Sequence, residues 1–497
     1  MQLVAYGAQD VYLTGNPKVT FFQAVYKRHT NFAMELIQQT VSGTPGNQTR
    51  LSVTIARNGD LIGNMHLALT PLPPKETTPK VLLTSTNTNW DTNWIAERAI
   101  SAVELTIGGQ RVDKHYQTWW RLYSELFLNE SDKYAWGKMT TQANYNTSAS
   151  GSRPKVYLPL LFFFNRNPGL YLPLIALQYH EVRLDFDTTA YYNSYFSGSA
   201  FEVWGNYIYL DTEERRRFAQ KGHEYLIEQI QHTGGDALTS GANEEGNVQL
   251  VRVAFNHPVK ELVWCYQNPS ASAQQTSQLN GMWNFCTSTS NVNVTCDTRQ
   301  FLQSGNFLLP HLTGVPHLYT PSGFAPGSNV TGTGETTTYN ALPTQFSIVN
   351  SNLISSNVLY TATSANVYWV EEGSRLDSSN TAVGTNQYGV EVGPLHLFKV
   401  VLNGQDRFKE QSGKYFNSVQ PFYHHTGSPY PGIYSYSFAL QPEEHQPTGT
   451  CNFSRIDNAQ LAITLKSNSQ ATTQKMFAIN YNVLRIQSGM GGLAFSN

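Results

Sequence analysis

Charge is the scarcest commodity in this sequence. Only 14% of its 497 residues are charged, against about 25% in ordinary soluble proteins. The 33 basic and 35 acidic residues nearly cancel, leaving a formal charge of −2. A chain so close to neutral offers no broad basic footprint, so direct nucleic-acid binding is not expected. Cysteine is sparse too. The four residues Cys265, Cys286, Cys296 and Cys451 form no Cys-x-x-Cys and no Cys/His spacing of the kind zinc sites use. They read as reduced and buried, with a Cys286–Cys296 bridge across a loop as the alternative, and so few cysteines favour assembly in a reducing cytosol. Long apolar runs are missing: Leu158–Phe164 and Leu170–Leu177 are the longest and both contain proline, well short of the roughly 18 residues of a membrane-spanning helix. The opening Met1-Gln-Leu-Val-Ala-Tyr-Gly lacks the basic start and apolar stretch of a secretory signal, and none is expected.

Catalytic signatures are absent as well. The chain has no Gly-x-Ser-x-Gly elbow, no His-Glu-x-x-His, no phosphate-binding Gly-x-x-x-x-Gly-Lys-Ser/Thr and no Gly-x-Gly-x-x-Gly after a strand. His424-His425 could begin a metal site, but neighbours on a strand point to opposite faces and rarely share one ion. Gly489-Met-Gly-Gly492 follows the last expected strand, where a flexible exit is expected rather than a phosphate cradle. We therefore expect no enzyme, no catalytic residues, no metal and no cofactor.

What the chain has is apolar and neutral polar material. Hydrophobic residues make up 40% and aromatics 12%, ample for two cores of roughly 200 to 280 residues each. Ser, Thr, Asn and Gln replace the missing charge, which suits a surface that meets copies of itself. Two echoes point to an internal duplication. Phe201-Glu-Val203-Trp-Gly-Asn206-Tyr-Ile208-Tyr-Leu210 matches Phe477-Ala-Ile479-Asn-Tyr-Asn482-Val-Leu484-Arg-Ile486 at an offset of 477 − 201 = 276. Val103-Glu-Leu105-Thr-Ile107-Gly-Gly109 matches Phe398-Lys-Val400-Val-Leu402-Asn-Gly404 at 404 − 109 = 295. Two related β domains with loops of unequal length follow.

Alternating residues predict strands at 34–41, 50–56, 61–69, 99–107, 156–164, 170–177, 181–186 and 201–210, about eight, the number a jelly roll needs. Arg57-Asn58-Gly59-Asp60 reads as the turn of a hairpin joining the second and third. Trp119, Trp120, Leu122, Tyr123, Leu126 and Phe127 recur at helical spacing over 117–128. That aromatic stripe reads as packing against the barrel, with a sugar platform as the alternative. Asp211-Thr-Glu-Glu-Arg-Arg-Arg-Phe218 predicts a short helix capped by Thr212, whose Arg215, Arg216 and Arg217 read as the solvated face of an interdomain connector, with a phosphate-binding patch as the alternative. Strands resume at 225–231, 249–255, 261–266, 395–402, 432–440, 459–465 and 476–486. Between them, 268–389 is crowded with Ser, Thr, Asn and Gly and carries a short strand at 366–370, as an elaborated surface insertion would. The division is then an N-terminal arm (1–30), a first jelly roll (31–212), a helical linker (213–223) and a second jelly roll (224–497) with its insertion. Asn-x-Ser/Thr sequons occur at Asn47, Asn129, Asn146, Asn293, Asn329 and Asn452; Asn293 and Asn329 fall in the insertion, where a glycan would be accessible.

Four segments together carry a family resemblance. Gly7-Ala-Gln-Asp-Val-Tyr-Leu-Thr-Gly-Asn-Pro17, with Thr20-Phe-Phe and Val25-Tyr-Lys-Arg-His-Thr-Asn-Phe-Ala33, closely resembles the N-terminal signature of major capsid proteins of nucleocytoplasmic large DNA viruses. Tyr430-Pro-Gly-Ile-Tyr-Ser-Tyr-Ser-Phe-Ala-Leu440, Gln446-Pro-Thr-Gly-Thr-Cys-Asn-Phe-Ser-Arg-Ile-Asp457 and Asn482-Val-Leu-Arg-Ile-Gln-Ser-Gly-Met-Gly-Gly-Leu-Ala-Phe495 extend it to the other end, and it fades over 268–389. The resemblance implies an all-β double jelly roll, two eight-stranded antiparallel sandwiches, assembling as a homotrimer into the icosahedral shell of a virion. It further implies assembly in the host cytoplasm, an arm facing the interior, the insertion as an outward tower, and minor capsid proteins, penton proteins and an internal viral membrane as neighbours. A glycan-binding jelly roll and a minor or penton capsid protein are the competing readings.

Overall fold

The computed structural model describes residues 7–72, 94–140, 155–190, 192–238, 248–267, 394–429, 432–465 and 473–495, and the short strands Arg375–Leu376 and Ala382–Val383. The strands of the first lobe are β1 (Phe32–Gln39), β2 (Val41–Ser42), β3 (Arg50–Thr54), β4 (Leu61–Pro71), β5 (Ile100–Ile107), β6 (Gln110–Tyr116), β7 (Val156–Pro159), β8 (Leu172–Pro173), β9 (Val182–Thr188) and β10 (Phe196–Leu210). The helix Thr212–Gln220 leads into β11 (His223–Ala237), β12 (Gln249–Val253) and β13 (Pro258–Gln267). An isolated pair, β14 (Arg375–Leu376) and β15 (Ala382–Val383), precedes β16 (Leu395–Leu402), β17 (Gln405–Asp406), β18 (Gln411–Ser412), β19 (Ile433–Ser437), β20 (Cys451–Asn452), β21 (Ala459–Leu465), β22 (Thr473–Gln487) and β23 (Met490–Leu493).

Each lobe is two facing antiparallel sheets. In the first they run β1-β10-β4-β7 and β2-β3-β9-β5-β6; in the second, β11-β22-β13-β19 and β12-β21-β16-β17. Counting only the eight principal strands of each lobe, both sandwiches pair strands 1-8-3-6 against 2-7-4-5. That is jelly-roll connectivity, and the two halves share it strand for strand. The strand echoes fall where this requires: both members of the first pair are eighth strands, and both of the second are hairpins between strands four and five. Those hairpins turn alike. Gly108 and Gly109 have φ of 58° and 83°, Asn403 and Gly404 of 53° and 79°, the left-handed pair of a type I′ turn, which Gly and Asn adopt most cheaply.

The first echo is one residue out of register in space. Phe201 and Val203 pair with Leu69 and Leu67 and face the first lobe's own core, with Phe201 edge-on to Phe186 at 5.4 Å. In β22 the inward residues opposite Trp264 and Leu262 are Met476 and Ala478, an offset of 476 − 201 = 275. Phe477 and Ile479 face outward, toward the first lobe. Strict alternation is broken by register shifts at Gly205/Tyr207 in one lobe and Val259/Glu261 in the other.

Several expectations change. β3 and β4 do not form a hairpin: β3 pairs with β9 and β2, β4 with β10 and β7, so Arg57–Asp60 is a corner that carries the chain between sheets. The run 156–164 is a strand only to Pro159; Phe162, Phe163 and Phe164 turn into the short helix Phe163–Arg166 and are buried on all sides. Of 170–177 only Leu172–Pro173 is extended, between two 3-10 turns. β6 was not foreseen, because its inward residues include Asp113 and His115. Asp211, not Thr212, caps the connector helix, its side chain accepting from the Glu213 amide. The strand expected at 366–370 lies outside the described residues.

The second core is aromatic. Trp264 stacks on Phe398 at 4.4 Å and meets Phe416 and Tyr434 within 5.8 Å. The type I′ turn between β16 and β17 gives a clean test. A Cβ at Gly404 meets nothing within 4 Å, so Gly404→Val costs only the left-handed backbone term, about 1–2 kcal/mol. Chemical denaturation should show that loss, with Gly404→Asn close to wild type.

Candidate assembly surface

The strongest constellation of the fold is the seam where one lobe grips the other. The helix Gln117–Leu126 follows β6 and places Trp119, Tyr123 and Phe127 four residues apart, along one face. Trp119 packs on Phe477 at 5.6 Å, and Tyr123 stacks on Phe127 at 5.0 Å. Tyr116 lies against His232 at 4.5 Å, and His232 stacks on Phe477 at 4.4 Å. Burial pushes the His232 imidazole down to about 4, so its ring is neutral near pH 7 and packs as an aromatic. Ile230, Val263, Cys265, Ile433 and Ile479 complete an apolar face of the second lobe that is continuous with the first lobe's core. The aromatic stripe is thus a core element that covers the neighbouring lobe, and it is no sugar platform.

Around this apolar centre runs a set of buried polar clamps. The Ile230 amide donates to Asp113 Oδ1 at 3.0 Å, and Gln229 Nε2 donates to the Val112 carbonyl. Asp113 also accepts from His115 at 3.0 Å, which is why a strand as polar as β6 can be buried. Arg166 of the first lobe donates to Glu228 at 2.9 Å, and Lys260 closes on the other oxygen of the same carboxylate. Burial opposes ionisation of Glu228, but Arg166 and Lys260 outweigh it and hold the carboxyl below its usual range.

A second clamp centres on His425. Its Nε2 meets Glu261, its Nδ1 lies 3.2 Å from Glu443, and its ring packs edge-on against Phe127 at 4.9 Å. The next turn is fixed to the first lobe as well: the Gly427 amide donates to the Leu126 carbonyl at 3.0 Å, and Lys133 Nζ donates to the Ser428 carbonyl at 2.6 Å. Burial works against protonation of His425, yet Glu261 and then Glu443 raise it to about 9. His424 ends the helix Gln420–His424. The histidine pair is therefore not on a strand, and His425 serves as a cation between two carboxylates. Nothing in the local sequence signals this, because Glu261 and Glu443 are remote in the chain.

Other candidates have structural places. Arg215 bonds Asp60 at 2.9 Å and Arg216 bonds Glu213 at 3.4 Å, with Arg217 exposed on the connector helix. Cys265 and Cys451 carry free thiols, and burial pushes Cys265 up to about 12; Cys286 and Cys296 lie outside the described residues. The segment expected as a flexible exit is instead strand β23, paired with β22 through a turn at Ser488 and Gly489 with φ of 55° and 82°. Among the sequons, Asn47 Oδ1 accepts from the Asn193 amide at 2.7 Å, Asn129 from Asp132 at 3.0 Å and Asn452 from Ser454 at 3.0 Å. Asn129 and Asn452 work as local caps, whereas Asn47 ties its loop to a segment 146 residues away. Asn146, Asn293 and Asn329 lie outside the described residues.

A duplicated jelly roll with its lobes sealed by an apolar seam is an architecture of the viral-capsid class. Comparison with known proteins gives the particular family. A model of the large eukaryotic DNA virus major capsid protein matches residues 214–492, and one of the major capsid protein N-terminus matches 20–211. The two meet at the connector helix. The chain is 41% identical to the major capsid protein of Phaeocystis pouchetii virus and 39% identical to that of Paramecium bursaria Chlorella virus 1, in both cases over 100% of this chain and 99% of the relative. It superposes on a quasi-atomic model of the PBCV-1 virus capsid with a TM-score of 0.64 at 35% identity, covering 96% of this chain and 100% of that one. The Faustovirus major capsid protein, at 13% identity and a TM-score of 0.59, shares the fold. The chain belongs to the major capsid proteins of large eukaryotic DNA viruses, structural proteins that form the shell of the virion.

The two clamps make distinct predictions. His425 is raised from 6.5 to about 9 on folding, so its contribution is complete below pH 6.5 and is lost as pH rises through about 9. Thermal melts should fall across that window in wild type and fall less in His425→Gln; equal slopes would exclude the role. Glu228→Leu leaves the Lys260 amine, only 2% exposed, without its carboxylate, and should cost about 3–5 kcal/mol in chemical denaturation.

Proposed function

We propose that the chain assembles as a homotrimer whose six similar lobes give a nearly hexagonal outline, and that these capsomers tile the flat facets of an icosahedral shell. The observation that carries this reading is the shared strand order of the two lobes. Threefold symmetry acting on two like lobes yields six like corners, and six-cornered units close-pack on a plane. A charged fraction of 14% keeps mutual repulsion of such tiles low.

In this arrangement residues 1–30 form an arm at the capsomer base, facing the interior. Its side chains suit contact with other components: Phe21 and Phe22 are 92% and 98% exposed. Residues 31–212 and 224–497 are the two corners, 213–223 is their linker, and 268–389 is an outward tower. Minor capsid and penton proteins meet the trimer at its edges and base, over an internal viral membrane. Glycans at Asn293 and Asn329 would decorate the tower. The near-neutral charge fits a shell that does not touch the genome directly.

Light scattering of the purified chain should give about three chain masses, and electron micrographs a six-cornered outline. A protein that stays at one chain mass under assembly conditions contradicts the tile and favours the glycan-binding or minor-capsid reading.

A further inference from the structure

The seam inside the chain joins two different surfaces. One is the helical segment between strands five and six of the first lobe, Gln117–Leu126. The other is the outer face of the second lobe's β11-β22-β13-β19 sheet, where Phe477 and Ile479 are 0% and 2% exposed. Because both lobes have the same connectivity, the chain carries each surface twice. The second copy of the helical surface is open to solvent, and so is the β1 side of the second sheet face, while Ile208 of the neighbouring β10 is 4% exposed.

On β1, Ile37 and Gln39 turn inward: Ile37 packs on the core, and Gln39 bonds the buried Tyr207 hydroxyl at 2.9 Å. Phe32, Met34 and Leu36 therefore share the outer face, opposite Leu210, Ile208 and Asn206 of β10. They are 50%, 52% and 48% exposed. Between strands five and six of the second lobe lies the helical stretch Tyr415–His424. There Phe422 and Tyr423 are 80% and 71% exposed, whereas Trp119 of the matching helix is 2% exposed. Leu440, 76% exposed, stands beside the end of that stretch, its carbonyl 3.1 Å from His424 Nδ1. Two apolar patches of this kind are more than scattered surface residues.

The geometry points to one occupant for both: a second copy of this chain, whose Phe422–Tyr423 helix packs on the outer face of β1 and β10 and so repeats between copies the seam that exists within each. This rests on the trimer reading and deepens it. The two surfaces differ, so the contact is head-to-tail, and each copy offers one of each. Contacts then alternate within and between chains around the ring. Little charge would have to be stripped of water: the outer face adds Gln38, Trp204 and Asn206, its one carboxylate on β10, Glu202, is already paired with Lys155 at 2.6 Å, and the helix adds only neutral side chains and His424.

The test uses the full chain and light scattering at one fixed concentration. Leu36→Asp and Tyr423→Asp should each lower three chain masses to one, with unchanged circular dichroism, since both side chains stand in solvent in the single chain. Met34→Asp provides a second probe of the sheet face should Leu36→Asp fail to fold. Tyr179→Asp, at a site 75% exposed on another surface, should remain at three. An equimolar mixture of Leu36→Asp and Tyr423→Asp should reach two chain masses and stop, because the pair retains one intact sheet face and one intact helix. If wild type gives three masses and the aspartate variants do as well, or if their mixture stays at one, this surface is wrong while the trimer stands. If wild type itself gives one mass, the trimer reading fails with it.

Discussion

The fold depends on the covering of a single sheet face. The outer surface of β11-β22-β13-β19 presents Ile230, Val263, Ile433, Phe477 and Ile479, whereas a sandwich that stands alone keeps such a face polar. At about 1.5–3 kcal/mol for each fully buried apolar side chain, these five contribute roughly 8–15 kcal/mol. That is an upper figure, since unfolded chains already bury some of this area. It is nonetheless comparable to the whole stability of a typical domain. The second lobe therefore needs the first as a partner, and the helix Gln117–Leu126 supplies the cover.

The polar clamps act on that apolar contact differently. Ion pairs as dry as Glu228–Lys260 add little net energy over a well-packed apolar substitute, because desolvation offsets attraction. Their effect is on placement. The Arg166–Glu228–Lys260 cluster and the Glu261–His425–Glu443 cluster sit at separate points of the seam. A slide of one lobe over the other would part Arg166 from Glu228, whereas the Glu261–His425–Glu443 cluster lies wholly in the second lobe and meets the first through the Phe127 ring. The first cluster fixes a register that hydrophobic packing leaves loose, and the second holds the surface on which Phe127 packs.

Much of this was legible in the sequence, and the parts that were not share a cause. Period-two alternation located most strands, and the repeated segments ending in Gly108-Gly109 and Asn403-Gly404 proved to be equivalent hairpins of the two lobes. Asn58-Gly59 carried a hairpin signal but joins strands in different sheets, because pairing is decided by which face each strand must bury. β6 escaped notice because Asp113 and His115 satisfy each other and the β11 edge, a contact made 117 residues away. The phenylalanine run 162–164 and the outward-facing Phe477 look like ordinary core residues, since a residue buried by a neighbouring lobe has the same composition as one buried by its own. The clamp at His425 was invisible for the same reason, its partners lying 164 and 18 residues away. Local turns and periodicity are written in short windows; lobe-to-lobe contacts are not.

If the internal seam is also the plan of the contact between copies, its two open halves must close when the shell forms. Hydrogen exchange on intact capsids and on dissociated chains reads this directly. Assembly should slow exchange in Phe32–Gln39 and Tyr415–His424, while Gln117–Leu126 and the 475–481 stretch of β22, already covered within the chain, stay unchanged. Protection that appears elsewhere and leaves those two segments as open as in the free chain would contradict the repeated seam.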